Sequence, residues 1–148
     1  MKKPLISILM PVKDASAFLV ECLSSILNQT YSNWELIAIN DHSTDNSLEI
    51  LNQYNHKDSR ISVYNNKESG IINALQLALA KSTGSYVTRM DADDIMSKNK
   101  LQELITMLIQ KKRGYVATGC VKYFSTEKNL NEGYINYENW LNNLTINE

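Results

Sequence analysis

The segment Arg89-Met90-Asp91-Ala92-Asp93-Asp94 places three carboxylates within four residues at the end of an apolar strand. Like charges at that spacing repel one another, and a bound divalent cation removes the repulsion. Carboxylate oxygens from such a segment, with oxygens of a diphosphate and water, complete the octahedral set that Mg2+ or Mn2+ takes. A metal held this way would stabilise a departing nucleoside diphosphate. The plainer alternative is a helix cap: Asp94 could cap a helix that begins near Ser97, although a cap needs one acid and not three.

Two further segments carry candidate chemistry. In Ile39-Asn40-Asp41-His42-Ser43-Thr44-Asp45, the carboxylate of Asp41 follows a buried strand and could accept a hydrogen bond from an imide N–H such as a uracil ring offers. The alternative for the same turn is capping of the next helix, and Asp45 with the hydroxyls of Ser43 and Thr44 suits that task. In Met10-Pro11-Val12-Lys13-Asp14, Pro11 removes an N–H where a strand ends and leaves carbonyls free for a base or ribose. Lys13, Lys67 and Arg89 are the cations near these segments; a phosphate contact competes with plain balancing of local acids.

The elements that position these residues alternate. Leu5–Met10 reads as a buried strand ended by Pro11, and Ala17–Asn28 as an amphipathic helix with Phe18, Leu19, Cys22, Leu23, Ile26 and Leu27 inward. Trp34–Asn40 is a second strand, followed by a helix carrying Leu48, Leu51 and Tyr54. Arg60–Tyr64 is a third strand. Ile71–Lys81 is a third helix with Ile71, Ile72, Leu75, Ala78 and Leu79 inward, stopped by Gly84 at its C′ position. Ser85–Met90, a helix over Lys98–Lys112 and a fifth strand over Tyr115–Phe124 complete the series. Alternation of this kind predicts an α/β fold, an open and mostly parallel Rossmann-like sheet with helices on both faces. Ligands of such sheets bind beyond the carboxyl ends of the strands, where Asp14, Asp41, Asp45, Asp91, Asp93 and Asp94 gather.

Composition bounds the rest. The chain has 148 residues, 15 Lys+Arg against 16 Asp+Glu, 43% hydrophobic residues and two cysteines. A domain of that length buries about 70% of its unfolded surface. The near-neutral balance argues against a nucleic-acid binder, so anion binding has to come from a local site. Cys22 and Cys120 form no C-x-x-C pair, and Cys22 reads as a buried reduced thiol. No apolar run reaches the ~18–20 residues of a membrane span, and the start lacks a signal-peptide pattern. These features predict a cytoplasmic chain, at most peripheral at the inner face of a membrane. After Phe124 the composition shifts, with seven Asn in the last 24 residues. Domain boundaries follow: 1–124 as a ligand-binding region and 125–148 as the start of an incomplete segment, whose apolar residues from Leu130 onward could pair with a second copy.

Taken together, Pro11-Val12 after an apolar strand, Ser25-Ile26-Leu27-Asn28-Gln29-Thr30-Tyr31, Asn40-Asp41-His42-Ser43-Thr44-Asp45 and Arg89-Met90-Asp91-Ala92-Asp93-Asp94-Ile95 resemble the family 2 glycosyltransferases. The resemblance runs from about Ile6 to Leu101, with the motifs in the family's order. It implies a GT-A fold, an inverting enzyme of bacterial polysaccharide or lipopolysaccharide synthesis, a nucleotide-sugar donor (usually a UDP-sugar), a saccharide or lipid-linked saccharide acceptor, and Mn2+ or Mg2+. Carried over by position, Pro11 and Val12 approach the nucleotide, Asp41 meets uracil, Asp91 lies near ribose and diphosphate, and Asp93 coordinates the metal. Lys13, Asn73 and Arg89 are further candidates, and Asn73 with Ala74 resembles a helix start that supports the nucleotide pocket.

The chain departs from the family at three places. Lys13-Asp14 stands where an aromatic-containing pair is common, and His42 where Gly is favoured. No Glu-Asp pair follows Asp94, and Glu127, Glu132 and Glu138 are isolated. The resemblance therefore places the general base, a role that typically contributes ~10²–10⁴-fold, beyond residue 148. It reads the chain as the donor half, inactive alone or a nucleotide-binding module. A haloacid-dehalogenase-type phosphatase would carry its Asp pair after the first strand, whereas this one follows the fourth.

Overall fold

Two near-continuous apolar runs form the centre of a parallel sheet whose faces are both covered, the arrangement in which strand sequences lose their polar alternation. The structure, a computed structural model, describes residues 3–110, 122 and 130–143. Its elements are β1 (Ile6–Val12), α1 (Ser16–Leu27), β2 (Trp34–Asn40), α2 (Ser47–Lys57), β3 (Ile61–Asn65), α3 (Ile71–Lys81), β4 (Tyr86–Arg89), α4 (Lys100–Gln110) and α5 (Glu132–Asn142). The sheet order is β3-β2-β1-β4, parallel at every pairing. The expected α/β fold is present over these residues; the expected fifth strand over Tyr115–Phe124 lies outside the described ones. The chain divides into two compact units, Met1–Gln102 and Glu103–Glu148, and the sheet lies in the first. Among the described residues no helix is long and apolar enough to cross a membrane.

The chain runs outward from β1 to β2 to β3 and then returns to β4, so right-handed crossovers put α3 on the opposite face from α1 and α2. Alternate side chains confirm it. Leu9, Ile37 and Ile39 pack with Ala74 and Ala78 of α3, while Met10 turns its sulfur to Cys22 of α1, 3.8 Å away. Cys22 is buried. Burial foremost, and the charges of Asp94, Asp93 and Asp91 after it, push its thiol up to about 12.

Several expectations need correction. Helix α3 has the expected bounds and turns Ala78 and Leu75 to the core as expected, joined by Ala74, whereas Ile71, Ile72 and Leu79, also expected inward, are exposed. Two alanines let the helix lie close on β1 and β2, and the larger residues at its flanks are left outside. Phe18, in the first turn of α1, is 56% exposed. Helix α4 begins at Lys100, later than expected. Helix α5 was not expected from its composition: Asn131 caps it by accepting from the Tyr134 N–H, and Tyr137 stacks on Trp140. None of its residues is buried, so no apolar stripe marked it.

Gly84 is not the C′ residue of α3, which ends at Lys81 with Ser82 as an extended cap. It is small because of what surrounds it. A Cβ there would stand 2.6 Å from Ser7 Oγ and 2.8 Å from both the Leu5 carbonyl oxygen and the Ser7 nitrogen. The Gly84 N–H donates to Ser7 Oγ and to Glu35, which also accepts from the Ser7 hydroxyl and the Thr83 N–H. Burial raises the Glu35 carboxyl, and these hydrogen bonds more than reverse the effect, leaving it below its usual range. They tie the α3–β4 connection to the amino edge of β1 and β2. Gly84→Ala should cost about 1–3 kcal/mol, the usual penalty for forcing an atom into packed backbone. Urea denaturation measures this, and an unchanged midpoint would contradict the close approach.

Candidate functional site

The site begins where two strands part. Along β1 the even residues bond to β2 and the odd ones to β4. The Asp41 N–H donates to the Val12 carbonyl at 2.7 Å and the Met90 N–H to the Leu9 carbonyl at 3.0 Å. Pro11 therefore turns its missing donor toward β4, just past the last registered pair, Leu9 with Arg89. It lies within β1, since the pairing with β2 continues through Val12 and Asn40. Beyond Leu9 the two strands diverge and a cleft of about 510 Å³ opens, lined by Pro11, Val12, Lys13, Asp41, Arg89, Asp91 and Asp93 among others. Seven of the eight residues expected at a ligand site thus share one cleft. Asn73 does not line it: on the first turn of α3, it donates back to the Ser69 carbonyl.

Asp41 is buried and its carboxylate is already engaged. Oδ1 accepts from Asn66 Nδ2 at 2.8 Å, and both oxygens accept from the Gly70 N–H at 3.0–3.1 Å. Gly70 adopts φ 124°, a conformation open essentially to glycine alone, and that geometry turns its N–H toward Asp41. A carboxylate offers about four lone-pair sites, so one direction stays available. Asn66 and Gly70 were invisible to sequence reading, because their role lies in a partner 25–29 residues away.

The loops on the same rim hold one another. The Thr44 N–H donates to Asp14 at 2.7 Å, the Asp14 N–H to the Ser43 hydroxyl and the Ala15 N–H to the Ser47 hydroxyl. Asp45 was expected to cap the helix that follows it. It accepts from the Ser47 N–H at 2.9 Å but also from the Ser16 N–H at 2.8 Å, so one carboxylate serves the first residues of both α2 and α1. His42 takes φ 58°, the left-handed backbone that glycine adopts freely.

The acids after β4 are arranged unequally. Asp91 accepts from Arg89 Nε at 2.8 Å and Nη2 at 2.7 Å, both on Oδ1. Asp93 is exposed, and its carboxylate has no hydrogen bond or ion pair among the described residues. Asp94 is not a helix cap: α4 starts six residues later, and the Lys100 N–H bonds the Ser97 carbonyl. Burial first, then Asp93 and Asp91, raises the Asp94 carboxyl above its ordinary range, with Lys100 and Arg89 opposing. The segment past these acids is pinned to the end of α1. Gln29 Nε2 donates to the Ser97 carbonyl at 2.7 Å, its Oε1 accepts from the Leu101 N–H, and the Met96 N–H donates to the Ser25 hydroxyl. The Cys22 thiol reaches the Asp91 carbonyl at 3.5 Å.

This strand order, with a polar cleft at the point where its direction reverses, has counterparts of known structure. S. aureus TarS 1–349 in complex with UDP matches with a TM-score of 0.67 at 23% identity, over 72% of this chain and 32% of that one. The mannosyltransferase PcManGT from Pyrobaculum calidifontis in complex with GDP-Man and Mn2+ matches with a TM-score of 0.59 at 23% identity, over 64% and 29%. The fold is of the GT-A type. The glycosyl transferase family 2 model matches residues 7–147, and the chain belongs to that family. It is 36% identical over 149 residues to an uncharacterized glycosyltransferase of Haemophilus influenzae, covering 98% of this chain and 46% of that protein. It is 35% identical over 118 residues to the putative teichuronic acid biosynthesis glycosyltransferase TuaG of Bacillus subtilis, covering 79% and 47%. The chain spans less than half the length of these relatives.

The double role of Asp45 has a pH signature. The hydrogen bonds from Ser47, ahead of those from Ser16, hold its carboxyl well below the usual range although burial opposes them. A carboxyl lowered on folding stabilises the fold above its unfolded value and loses that contribution as pH falls toward its folded one. Asp45→Asn should therefore melt below the parent at pH 7, and the gap should narrow below about pH 4. Circular dichroism melts at both pH values test this; a gap that stays constant would contradict the assignment.

Proposed function

We propose that this chain binds a nucleotide-sugar donor, most simply a UDP-sugar, in the cleft between the ends of β1 and β4, as the donor site of an inverting glycosyltransferase that acts on a saccharide or lipid-linked saccharide acceptor in bacterial polysaccharide synthesis. The observation that carries the reading is the convergence of Pro11, Asp41, Arg89, Asp91 and Asp93 on one cleft at the reversal of strand order, where open α/β sheets take their ligands. The UDP in the TarS complex, the GDP-Man and Mn2+ in the PcManGT complex and the name of TuaG support it by analogy.

In this reading the free lone pair of Asp41 accepts the imide N–H of the base, and backbone groups of Pro11 and Val12 flank the nucleoside. Lys13 and Arg89 face the diphosphate. Among the described residues no three Asp, Glu, His or Cys side chains converge as a metal cage. An ion shared with a ligand needs no such cage, since Asp93 and Asp91 offer hard oxygen donors and diphosphate and water fill the remaining positions. Asp93, with Asp91, would hold Mn2+ or Mg2+. The ion supplies positive charge against the departing diphosphate. The acceptor hydroxyl attacks the anomeric carbon as the bond to the diphosphate oxygen breaks, and its proton passes to a general base.

A second reading, a nucleotide-binding module without catalysis of its own, draws on the cleft's carboxylates. Asp41 accepts from Asn66 and Gly70, Asp14 from Thr44 and Asp91 from Arg89, and Asp93 is assigned to the ion. Among the described residues each carboxylate of the cleft thus already has a partner or an assigned role, and none stands out as a general base. Residues 1–124 then form the donor region and 125–148 begin the acceptor side.

Two ligands that share a site typically couple by about 1–3 kcal/mol, or roughly 5–150-fold. Calorimetry should show UDP binding strengthened by Mn2+ within that range. Asp93→Asn should remove the metal-dependent part and leave the metal-free affinity nearly unchanged. Equal, metal-independent binding by both proteins would eliminate the metal role, and an absence of UDP binding would eliminate the donor-site reading.

A further inference from the structure

We infer that Arg89 is a resident counter-ion of Asp91 which a divalent cation displaces, freeing the guanidinium for the diphosphate. The inference rests on the donor-site reading. It starts from an asymmetry: Arg89 places two donors, Nε and Nη2, on the single oxygen Oδ1 of Asp91. This is not the parallel fork that makes Arg–carboxylate pairs strong, in which each oxygen receives its own N–H. Among the described residues, the second oxygen of Asp91 has no protein partner and Nη1 of Arg89 makes no hydrogen bond. Both groups are capable of more than they do.

The placement points the same way. Arg89 ends β4, at the edge of the described sheet, and Asp91 follows two positions later; both line the cleft together with Asp93 and Lys13. The Arg89 guanidinium is the charge set against Asp91, and it moderates the repulsion among Asp91, Asp93 and Asp94. The two side chains are 51% and 41% exposed, and exposed pairs are weak enough to exchange readily. A divalent ion brings twice the charge to the same oxygens. Once it is there, Arg89 is repelled from the acids and its five N–H donors face the anion the ion has brought. Metal and arginine are therefore competitors on the carboxylate but partners on the diphosphate. A plain phosphate-binding arginine would be neutral or helpful to both steps.

Opposite signs make the test sharp. Mn2+ binding without nucleotide is followed by the electron paramagnetic resonance signal of the free ion. UDP binding at saturating Mn2+ is followed by calorimetry. The parent, Arg89→Gln and Arg89→Lys are compared after confirming equal melting temperatures in the absence of ligand. Arg89→Gln should bind Mn2+ about two- to fivefold more tightly than the parent, the range an exposed ion pair is worth, and should bind UDP more weakly. Arg89→Lys retains the charge but not the two-donor grip, so it should also tighten Mn2+ binding, by less. If Arg89→Gln does not tighten Mn2+ while the parent binds UDP with Mn2+, the displacement is wrong and the donor site stands. If only Arg89→Gln tightens Mn2+ and Arg89→Lys matches the parent, overall charge rather than the pair is responsible, and the proposal falls. If Mn2+ tightens but UDP affinity is unchanged, the transfer of Arg89 to the diphosphate is refuted. If the parent binds neither ligand, the donor-site reading fails and takes the proposal with it.

Discussion

The hydrogen-bond ladder between β1 and β4 closes after Leu9 and Arg89, and the rest of the site depends on that closure. Parallel strands that continued together would fill the rim with paired backbone. Here Pro11 has no N–H to offer β4, so extending the ladder would gain nothing on that side. The strands separate at no cost in unmet donors, and side chains of the two loops occupy the space. The reversal of strand order at the same place keeps α3 on the far face from α1 and α2. The cleft is consequently bounded by chain leaving both faces of the sheet: Phe18 comes from α1 on one side and Ile71 from α3 on the other.

Within that space the carboxylates divide by how far their hydrogen-bonding capacity is met. Asp41 accepts from the Asn66 side chain and the Gly70 N–H, and Asp45 from the N–H groups of Ser16 and Ser47, which fixes the orientation of both. Asp93 is exposed and has no hydrogen bond or ion pair among the described residues. Asp91 lies between these extremes, held by one flexible cation. Net charge near −1 conceals this gradient, because it arises from where each carboxylate's partners stand and not from how many acids there are. The proposed metal–diphosphate ligand would meet both these acids and the cations beside them.

Much of this was legible in the sequence, and the failures share a cause. The bounds of β2 and α3 followed from apolar runs, and the gathering of seven candidate residues followed from the rule that parallel sheets bind at their carboxyl edge. Wrong were the faces of helix ends. Periodicity assigns Phe18 and Ile71 inward because it treats a helix as covered along its whole length, yet both residues, in the first turns of α1 and α3, are exposed and line the cleft. Gly84 read as a helix stop because glycine commonly is one; its collision with Ser7 and Leu5 depends on a strand 77 residues away in the chain. Gln29 was visible only as part of a motif. Its task, satisfying the Ser97 carbonyl and the Leu101 N–H, requires the fold to be known first.

The helix starts make the same point about cooperation. Neither Ala15, Asn46 nor Gly70, the residues preceding α1, α2 and α3, caps its helix with its own side chain. Local capping would make each helix start independent of its neighbours. Instead the Ser16 N–H is met by Asp45, the Ala15 N–H by Ser47 and the Thr44 N–H by Asp14, so the loop after β1 and the loop after β2 satisfy each other's backbone. Neither loop can move without leaving the other's donors unpaired, which costs more than the net value of the bonds themselves. The outer acids of the cleft are thereby mounted on inner loops that hold each other's backbone, and Asp41, the buried acid among them, has its carboxylate oriented by Asn66 and Gly70.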